Sequence, residues 1–163
     1  AGCFWGAQKF FSRVKGVTFT EVGFANGFTE NPTYKEVYTD RTGYAETVHL
    51  QYDPSVITEE RLTDLFLKAI DPLSLNKQGE DEGTRYRTGV YYTEEDQAAG
   101  IKATLDRCAA ALGQPLAVEF CPLRNFVPKG KMDWIPGRKC RIPKEFITDQ
   151  VFEQQRSWYR PSR

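Results

Sequence analysis

The fold is decided by the stretch ETVHLQYDPSVITEERLTDLFLKAI, which spans residues 46–70. Residues 46–52 alternate in polarity, which predicts a half-buried β-strand that ends at Asp53-Pro54. Thr58 is placed to cap a helix, because apolar residues recur at helical spacing after it. Those apolar residues are Leu62, Leu65, Phe66, Ala69 and Ile70. A strand followed by an amphipathic helix predicts a sheet that is covered by helices.

The flanking sequence continues this alternation of helices and strands. Helices are predicted over residues 4–14 and 146–159, and a third helix is predicted to be capped by Thr93 and to end at about Leu112. Strands are predicted over 17–25, 88–93 and 117–121. Residues 23–45, 71–87 and 125–143 show no sustained period, and long irregular segments of this kind are usually functional. Without repeats or a linker, residues 1–163 are predicted to form one α+β domain.

The charge balance excludes several classes of function. Lys and Arg together number 22, as do Asp and Glu, so the formal net charge is zero. A general nucleic-acid binder needs a basic excess, and so does a polybasic membrane anchor. No apolar run approaches the roughly 20 residues of a membrane-spanning helix. These observations predict a soluble protein that binds neither nucleic acid nor membranes.

The four cysteines and the single histidine limit metal and redox chemistry. No two cysteines form a Cys-x-x-Cys pair, which argues against a structural zinc site and against a thioredoxin-type dithiol. His49 falls on the polar side of the predicted strand, where a solvent-facing role is expected. No metal or other cofactor is therefore predicted. A reactive cysteine would have to be activated by something other than histidine.

Cys3 is the cysteine in the most suggestive position. It opens a predicted helix, where free backbone N–H groups and the helix dipole stabilise a thiolate. Gly2 and Gly6 flank it and allow a ligand to approach the backbone closely. Trp5 projects away from the side of the helix that carries Phe4, so it is not committed to the core. A buried, inert cysteine beside packing aromatics is the alternative interpretation.

Glu46 and two irregular segments supply polar groups that could accompany a thiol. Glu46 shares strand parity with Val48 and Leu50, so its carboxyl is expected to face the apolar side. Burial raises the pKa of a carboxyl and lets it donate a proton near neutral pH. The irregular segments contribute Tyr34, Tyr38, Asp81 and Tyr86. A glutamate that reaches water and tyrosines that merely cover the core remain alternatives.

Several segments together resemble the ordered signature of peptide methionine sulfoxide reductase A. In chain order they are Gly2-Cys3-Phe4-Trp5-Gly6, Asn31-Pro32-Thr33-Tyr34, Thr42-Gly43-Tyr44-Ala45-Glu46, Asp71-Pro72 and NKQGEDEGTRYR at 76–87. The resemblance covers about residues 2–92 closely and residues 123–140 more loosely. It implies a ferredoxin-like α/β sandwich and the thiol-dependent reduction of methionine-S-sulfoxide, free or in proteins.

The resemblance also implies roles for individual residues. Cys3 would attack the sulfoxide sulfur, and Phe4 with Trp5 would form an apolar wall for the substrate methyl group. Glu46 would supply the proton, and the sulfoxide oxygen would receive hydrogen bonds from it and from the two tyrosines, Tyr34 and Tyr86. The polar rim would be completed by Asp81.

Release of methionine would leave Cys3 as a sulfenic acid, which condenses with a second thiol. From the residues alone, Cys108 lies on an apolar helix stripe and Cys121 is ambiguous, whereas Cys140 lies among basic residues that favour a thiolate. Cys140 also matches the position of the family's C-terminal Pro-Gly-x-x-Cys motif. The resemblance therefore implies a Cys3–Cys140 disulfide that thioredoxin reduces.

The C-terminal segment, residues 126–163, departs most from the family pattern and carries this presumed resolving cysteine. Since a strand usually precedes the Gly-Cys-Phe-Trp motif, we expect further residues upstream of Ala1. A monomer in a reducing, thioredoxin-containing compartment such as the cytoplasm is predicted. Two other functions remain open: a degenerate domain that binds methionine sulfoxide peptides without turnover, and a thiol peroxidase.

Overall fold

The computed structural model describes residues 1–129, which form an α+β fold. The helices are α1 (Phe4–Phe11), α2 (Tyr34–Tyr38), α3 (Glu59–Ala69) and α4 (Glu95–Leu112), and a 3-10 helix covers Thr84–Tyr86. The strands are β1 (Val17–Ala25), β2 (Ala45–Tyr52), β3 (Lys77–Gln78), β4 (Asp81–Glu82), β5 (Thr88–Tyr92), β6 (Val118–Pro122) and β7 (Phe126–Pro128). The predicted α+β class is confirmed.

The strands of the described residues form three sheets. β1 lies between β2 and β7 and is antiparallel to both, with Ala25 opposite Ala45 on one side and Phe126 on the other. β5 and β6 pair in parallel and are connected by α4, as a parallel pair requires. β3 and β4 form a two-residue hairpin. A groove of about 670 Å³ separates β2 from β5, and Gly2 and Glu46 are among the residues that line it.

Two apolar clusters hold these elements together. The main core joins the end of α1 to α3 and α4, and consists of Phe10, Phe11, Val14, Ile57, Leu62, Leu65, Phe66, Leu67, Ile70, Ile101 and Leu105. The site core lies under the start of α1 and consists of Cys3, Phe4, Val22, Phe24, Val37 and Tyr44. The alternation predicted for β2 is confirmed, because Val48 packs on the site core whereas Leu50 and Tyr52 pack on the main core. Glu46 shares their face.

The predicted strands agree with the structure to within one residue at each end, whereas two helix boundaries differ. The Thr58 hydroxyl accepts a hydrogen bond from the Arg61 amide at 3.2 Å, which confirms the cap of α3. α1 ends at Phe11 rather than Val14, because the chain tightens to i→i−3 bonds there. α4 is capped by Glu94 rather than Thr93. In the capping box of α4, the Gln97 side-chain oxygen accepts hydrogen bonds from the backbone N–H groups of Thr93 and Glu94.

Two short elements lie where the sequence predicts irregular chain. α2 begins with a capping box in which the Thr33 hydroxyl accepts from the Glu36 amide and the Glu36 carboxylate accepts from the Thr33 amide. β7 forms because β1 has a free edge with which it can pair. Just beyond the paired residues, Asn26 donates hydrogen bonds to the Pro122 and Asn125 carbonyls, and the Asn125 side chain donates to the Gly27 carbonyl. The helix expected over 146–159 lies outside the described residues. Within residues 1–129 no helix is both long enough and apolar enough to cross a membrane.

Candidate active site

Cys3 lies at the N-terminal end of α1, as the sequence predicts. It is the N-cap residue, in extended backbone conformation, and its own amide donates to the Asp81 carboxylate at 3.2 Å. The preceding Gly2 has a φ of +71°, and a Cβ there would lie 2.8 Å from the Gln78 Cβ. Only glycine fits this left-handed conformation and close approach. The backbone conformation at Gly2 and the hydrogen bond to Asp81 therefore fix the position of the Cys3 Cα.

Phe4 and Trp5 follow Cys3 and lie on different sides of α1. Phe4 is buried against Phe24, with ring centroids 5.4 Å apart. Trp5 meets the edge of Phe4 at 5.4 Å and remains 40% exposed, which is unusual for a ring of this size. The structure thus places an accessible aromatic surface directly beside the thiol position.

Glu46 lies at the start of β2 and is buried, with 6% of its surface exposed. The Phe4 amide is a hydrogen-bond donor to its carboxylate, and its Oε2 has no hydrogen-bond partner among the described residues. Burial raises the pKa of Glu46 to about 8, and the negative charge of Asp81 adds to the increase. At neutral pH this side chain is therefore a protonated acid that can donate to a bound oxygen.

Asp81 and Tyr86 reach the site from β4 and from the 3-10 helix. Burial raises the pKa of Asp81, whereas the hydrogen bond from the Cys3 amide opposes the increase. Tyr86 is 6% exposed, and its backbone oxygen accepts a hydrogen bond from the Gly2 amide at 3.3 Å. Burial raises the pKa of the Tyr86 phenol, with a further contribution from the charge of Glu46. The phenol thus stays protonated and is a hydrogen-bond donor.

The structure brings together most of the residues that the sequence selects. The residues that contact one another near the N-terminus of α1 are Gly2, Cys3, Phe4, Trp5, Glu46, Asp81 and Tyr86. Tyr34 is the first residue of α2, and its side chain is not among the described groups. Cys140 lies outside the described residues. The roles of all these residues stay predictions.

Two basic residues that the sequence analysis does not select also belong to the site. The Arg85 guanidinium lies over the Tyr86 ring, with 4.5 Å between its Cζ and the ring centroid, and its charge acts on both Glu46 and Asp81. The Lys129 ammonium lies 4.3 Å from the Trp5 ring centroid. Burial lowers the pKa of Lys129, and the nearby Glu46 opposes that decrease. In the sequence, these two contacts are indicated only by the presence of the aromatic residues with which the cations interact.

Of the described residues, Cys108, Cys121 and His49 lie apart from this constellation. Cys108 and Cys121 are free thiols, whereas Cys3 is disulfide-bonded in the structure. Cys108 packs against the main core, where burial raises its pKa, and the Cys121 sulfur accepts a hydrogen bond from the Asn26 side-chain Nδ2 at 3.5 Å. His49 is partly exposed and lies 3.8 Å from the Glu21 carboxylate.

The arrangement combines a cysteine at a helix N-terminus, a neutral buried acid and an exposed aromatic wall. Such a site can attack an electrophilic atom with sulfur while it protonates an oxygen bound to that atom. Within residues 1–129 no group of three or more histidine, cysteine, aspartate or glutamate side chains is placed to hold a metal ion. The chemistry that this geometry supports is thiol chemistry with acid assistance.

Comparison with known proteins identifies the family. A family model described as peptide methionine sulfoxide reductase matches residues 1–133. The chain belongs to the peptide methionine sulfoxide reductase family. The predicted resemblance is thereby confirmed, and the chain is an oxidoreductase.

Relatives in this family align over most of the chain. The peptide methionine sulfoxide reductase MsrA of Clostridium acetobutylicum is 42% identical over 151 residues, which are 90% of this chain and 93% of that protein. The MsrA of Lachnoclostridium phytofermentans is 50% identical over 126 residues, which are 77% of this chain and 76% of that protein.

Solved structures of family members share the fold. Methionine sulfoxide reductase A of Corynebacterium diphtheriae is 33% identical, with a TM-score of 0.69 over 87% of this chain and 79% of that one. Mxr1 of Saccharomyces cerevisiae in reduced form is 28% identical, with a TM-score of 0.76 over 88% of this chain and 86% of that one. The mixed helix and strand architecture with small sheets is that of the methionine sulfoxide reductases.

Proposed function

We propose that this protein reduces methionine-S-sulfoxide, free or in proteins, to methionine, with Cys3 as the nucleophile. The observation that carries the proposal is the pairing of Cys3 at the N-terminus of α1 with Glu46, a buried carboxyl that keeps its proton at neutral pH. A sulfoxide needs both groups together. Its oxygen leaves sulfur readily only when protonated, and its sulfur must meet a thiolate.

In the first step the Cys3 thiolate attacks the sulfoxide sulfur while Glu46 gives its proton to the sulfoxide oxygen. The resulting hydroxyl passes to the cysteine sulfur as the sulfur–oxygen bond of the substrate breaks. Methionine leaves and Cys3 becomes a sulfenic acid. The substrate sulfur is thus reduced by two electrons, and the Cys3 sulfur is oxidised by two.

The site residues around this pair hold the substrate. The exposed Trp5 ring, which packs on the buried Phe4 ring, forms the wall that accepts the substrate methyl group. Tyr86 donates a hydrogen bond to the sulfoxide oxygen, and Tyr34 does the same from α2. Asp81 holds the Cys3 amide and completes the polar rim. An apolar wall beside hydrogen-bond donors matches a substrate that has a methyl group next to a polar S–O group.

Cys140 is the proposed resolving cysteine. Cys108 packs against the main core, whereas Cys140 lies in sequence among basic residues that favour a thiolate and matches the family's C-terminal Pro-Gly-x-x-Cys position. The Cys140 thiol attacks the sulfenic sulfur, a disulfide forms and water leaves. Thioredoxin, or a chemical dithiol, then reduces the disulfide by thiol exchange. Neither a metal nor another cofactor takes part in this cycle.

The proposed biological setting is the repair of oxidised methionine in a thioredoxin-containing compartment, the cytoplasm. The catalyst is proposed to act as a monomeric single domain, in which residues 126–163 form the segment that carries Cys140.

The test is single-turnover reduction of a methionine-S-sulfoxide peptide without added reductant, with the thiols counted before and after. Reduced wild type should form one methionine and lose two thiols. Cys140→Ser should form one methionine without that disulfide, and Cys108→Ser, the matched control, should behave as wild type. Cys3→Ser should form no methionine.

Two results would overturn parts of the proposal. Absence of methionine from the wild type, with the peptide still bound, would make the domain a binder without turnover. Loss of two thiols by Cys140→Ser would assign the resolving role to another cysteine.

A further inference from the structure

A cluster of side chains behind Tyr86 connects α2 to the 3-10 helix. It consists of Tyr38, the last residue of α2, together with Asp40 and Arg85. The Arg85 Cζ lies 4.2 Å from the centroid of the Tyr38 ring and 4.5 Å from that of the Tyr86 ring. The guanidinium thus contacts both aromatic rings and is 14% exposed. Cation–π contacts of this kind strengthen as water is excluded.

Asp40 fixes the guanidinium in that position. Its carboxylate accepts hydrogen bonds from Arg85 Nη1 at 2.6 Å, from the Arg85 amide at 2.9 Å and from the Thr84 hydroxyl at 3.1 Å. The Asp40 backbone has a φ of +57°, a conformation that non-glycine residues rarely adopt. Charge-assisted bonds to a buried partner are stronger than neutral ones, so this ion pair holds the two segments together.

The hydroxyl groups of Tyr38 and Tyr86 lie 3.0 Å apart and form a hydrogen bond in which either can donate. A phenol has one proton to donate and lone pairs with which to accept. When Tyr38 donates, the Tyr86 proton is free for a substrate oxygen. When Tyr86 donates to Tyr38, the Tyr86 proton is not available to a substrate oxygen.

We propose that Tyr38, Arg85 and Asp40 are positioning residues that hold the Tyr86 hydroxyl and direct its proton to the substrate oxygen. Asp40 anchors the Arg85 guanidinium, which packs on both rings, and the Tyr38 hydroxyl donates to the Tyr86 oxygen. This inference rests on the proposed function, in which Tyr86 donates to the sulfoxide oxygen. It assigns a purpose to a tyrosine and an ion pair that the reaction itself does not use.

The test is a double-mutant cycle between Tyr38→Phe and Tyr86→Phe, measured as the single-turnover rate constant on a methionine-S-sulfoxide peptide. Tyr38→Phe keeps the ring under Arg85 and removes only the hydroxyl. One neutral hydrogen bond corresponds to a loss of about 3- to 10-fold in the rate constant, with little change in KM. In the Tyr86→Phe background the same substitution should cause no further loss, because the group it positions is gone.

Two further variants separate positioning from a general effect on structure. Tyr91→Phe also removes a tyrosine hydroxyl bond, the 2.6 Å bond to Glu119, but lies outside the cluster and should keep the wild-type rate. Asp40→Asn removes the charge that anchors Arg85 and should lower the rate constant in the wild-type background only. Thermal unfolding of each variant shows whether it folds.

The outcomes distinguish this inference from the proposed function. A wild-type enzyme that forms no methionine would overturn both. A wild-type enzyme that turns over, together with a Tyr38→Phe variant of unchanged rate, would overturn the positioning role alone. Additive losses in the double variant would overturn it as well, since Tyr38 would then act independently of Tyr86.

Discussion

The main core and the site core are built from similar residues but differ in what surrounds them. The main core joins three helices through aliphatic and aromatic side chains, and the titratable groups packed against it, such as Cys108, have no role in the proposed reaction. The site core holds the Cys3 side chain, and the buried carboxyl of Glu46 lies next to it. The same apolar burial that stabilises one cluster changes the protonation of the acid beside the other.

The reactive site therefore depends on a different apolar cluster from the one that joins the helices. Leu65 belongs to the main core and not to the site core, so it is expected to contribute to stability alone. Phe4 belongs to the site core, and its backbone amide also donates to the Glu46 carboxylate. Substitutions in the two clusters should therefore have separable effects on folding and on rate.

The greatest loss of rate is expected for Glu46→Gln, which keeps the shape of the side chain and removes its acidic proton. Loss of a general acid lowers rates about 100- to 10,000-fold, and the variant should show that loss in single-turnover reduction at pH 7. Glu21→Gln is the matched control, because Glu21 is a strand glutamate beside His49 rather than in the site. A variant within a few-fold of the wild-type rate would remove Glu46 from the reaction.

The same variant should also change how stability depends on pH. The folded-state pKa of Glu46, about 8, lies above the value of an unfolded glutamate, so the folded protein retains a proton that the unfolded chain has lost. Wild-type stability should therefore fall as pH rises from about 4.5 to 8, by up to about 1.4 kcal/mol per pH unit from this group. Glu46→Gln should lack this component. Parallel stability curves for the two proteins over that range would contradict a buried, neutral acid.

Sequence periodicity was sufficient where burial follows a regular repeat. The alternation of residues 46–52 correctly predicted that Glu46 faces the apolar side, and the apolar stripe of residues 62–70 predicted four of the eleven residues of the main core. The contacts of Arg85 and Lys129 could not be predicted in this way, because they join segments distant in sequence. Only the folded chain places Arg85 between two tyrosine rings.

Some of the missed local structure did have a signal. Thr33 and Glu36 have the spacing of a capping box, which marks the start of α2. The strand β7 had no such signal, since a three-residue strand that ends in a proline forms only when a neighbouring edge is free.

A smaller and purely structural effect is expected for Leu65→Ala in the main core. Removal of a buried leucine side chain costs about 2 to 5 kcal/mol of unfolding free energy. The rate constant should stay at the wild-type value below the unfolding transition. Val37→Ala is the counterpart in the site core and should lower both stability and rate. Denaturant unfolding and single-turnover kinetics measure the two quantities, and a large loss of rate in Leu65→Ala would erase the distinction between the clusters.

The smallest effect is expected for Lys129→Met, which keeps the apolar stem and removes the charge over Trp5. A cation–π contact at a partly exposed site corresponds to about a 2- to 5-fold change, which should appear as a higher KM for the peptide. Lys102→Met, on the outer face of α4 and paired with Asp106, should leave KM unchanged. A KM for Lys129→Met equal to that of the wild type would show that Lys129 does not support the wall.

The exposed face of Trp5 gives the protein an optical reporter. Trp5 is the only tryptophan among residues 1–129, and its indole lies in the wall that receives the substrate methyl group, with a cation above its ring. A ligand that covers this face replaces water around the indole, and indole emission responds to the polarity of its surroundings. Because Trp134 and Trp158 also emit, occupancy of the wall is followed without a label as the part of the emission change that Trp5→Phe removes, separately from any turnover.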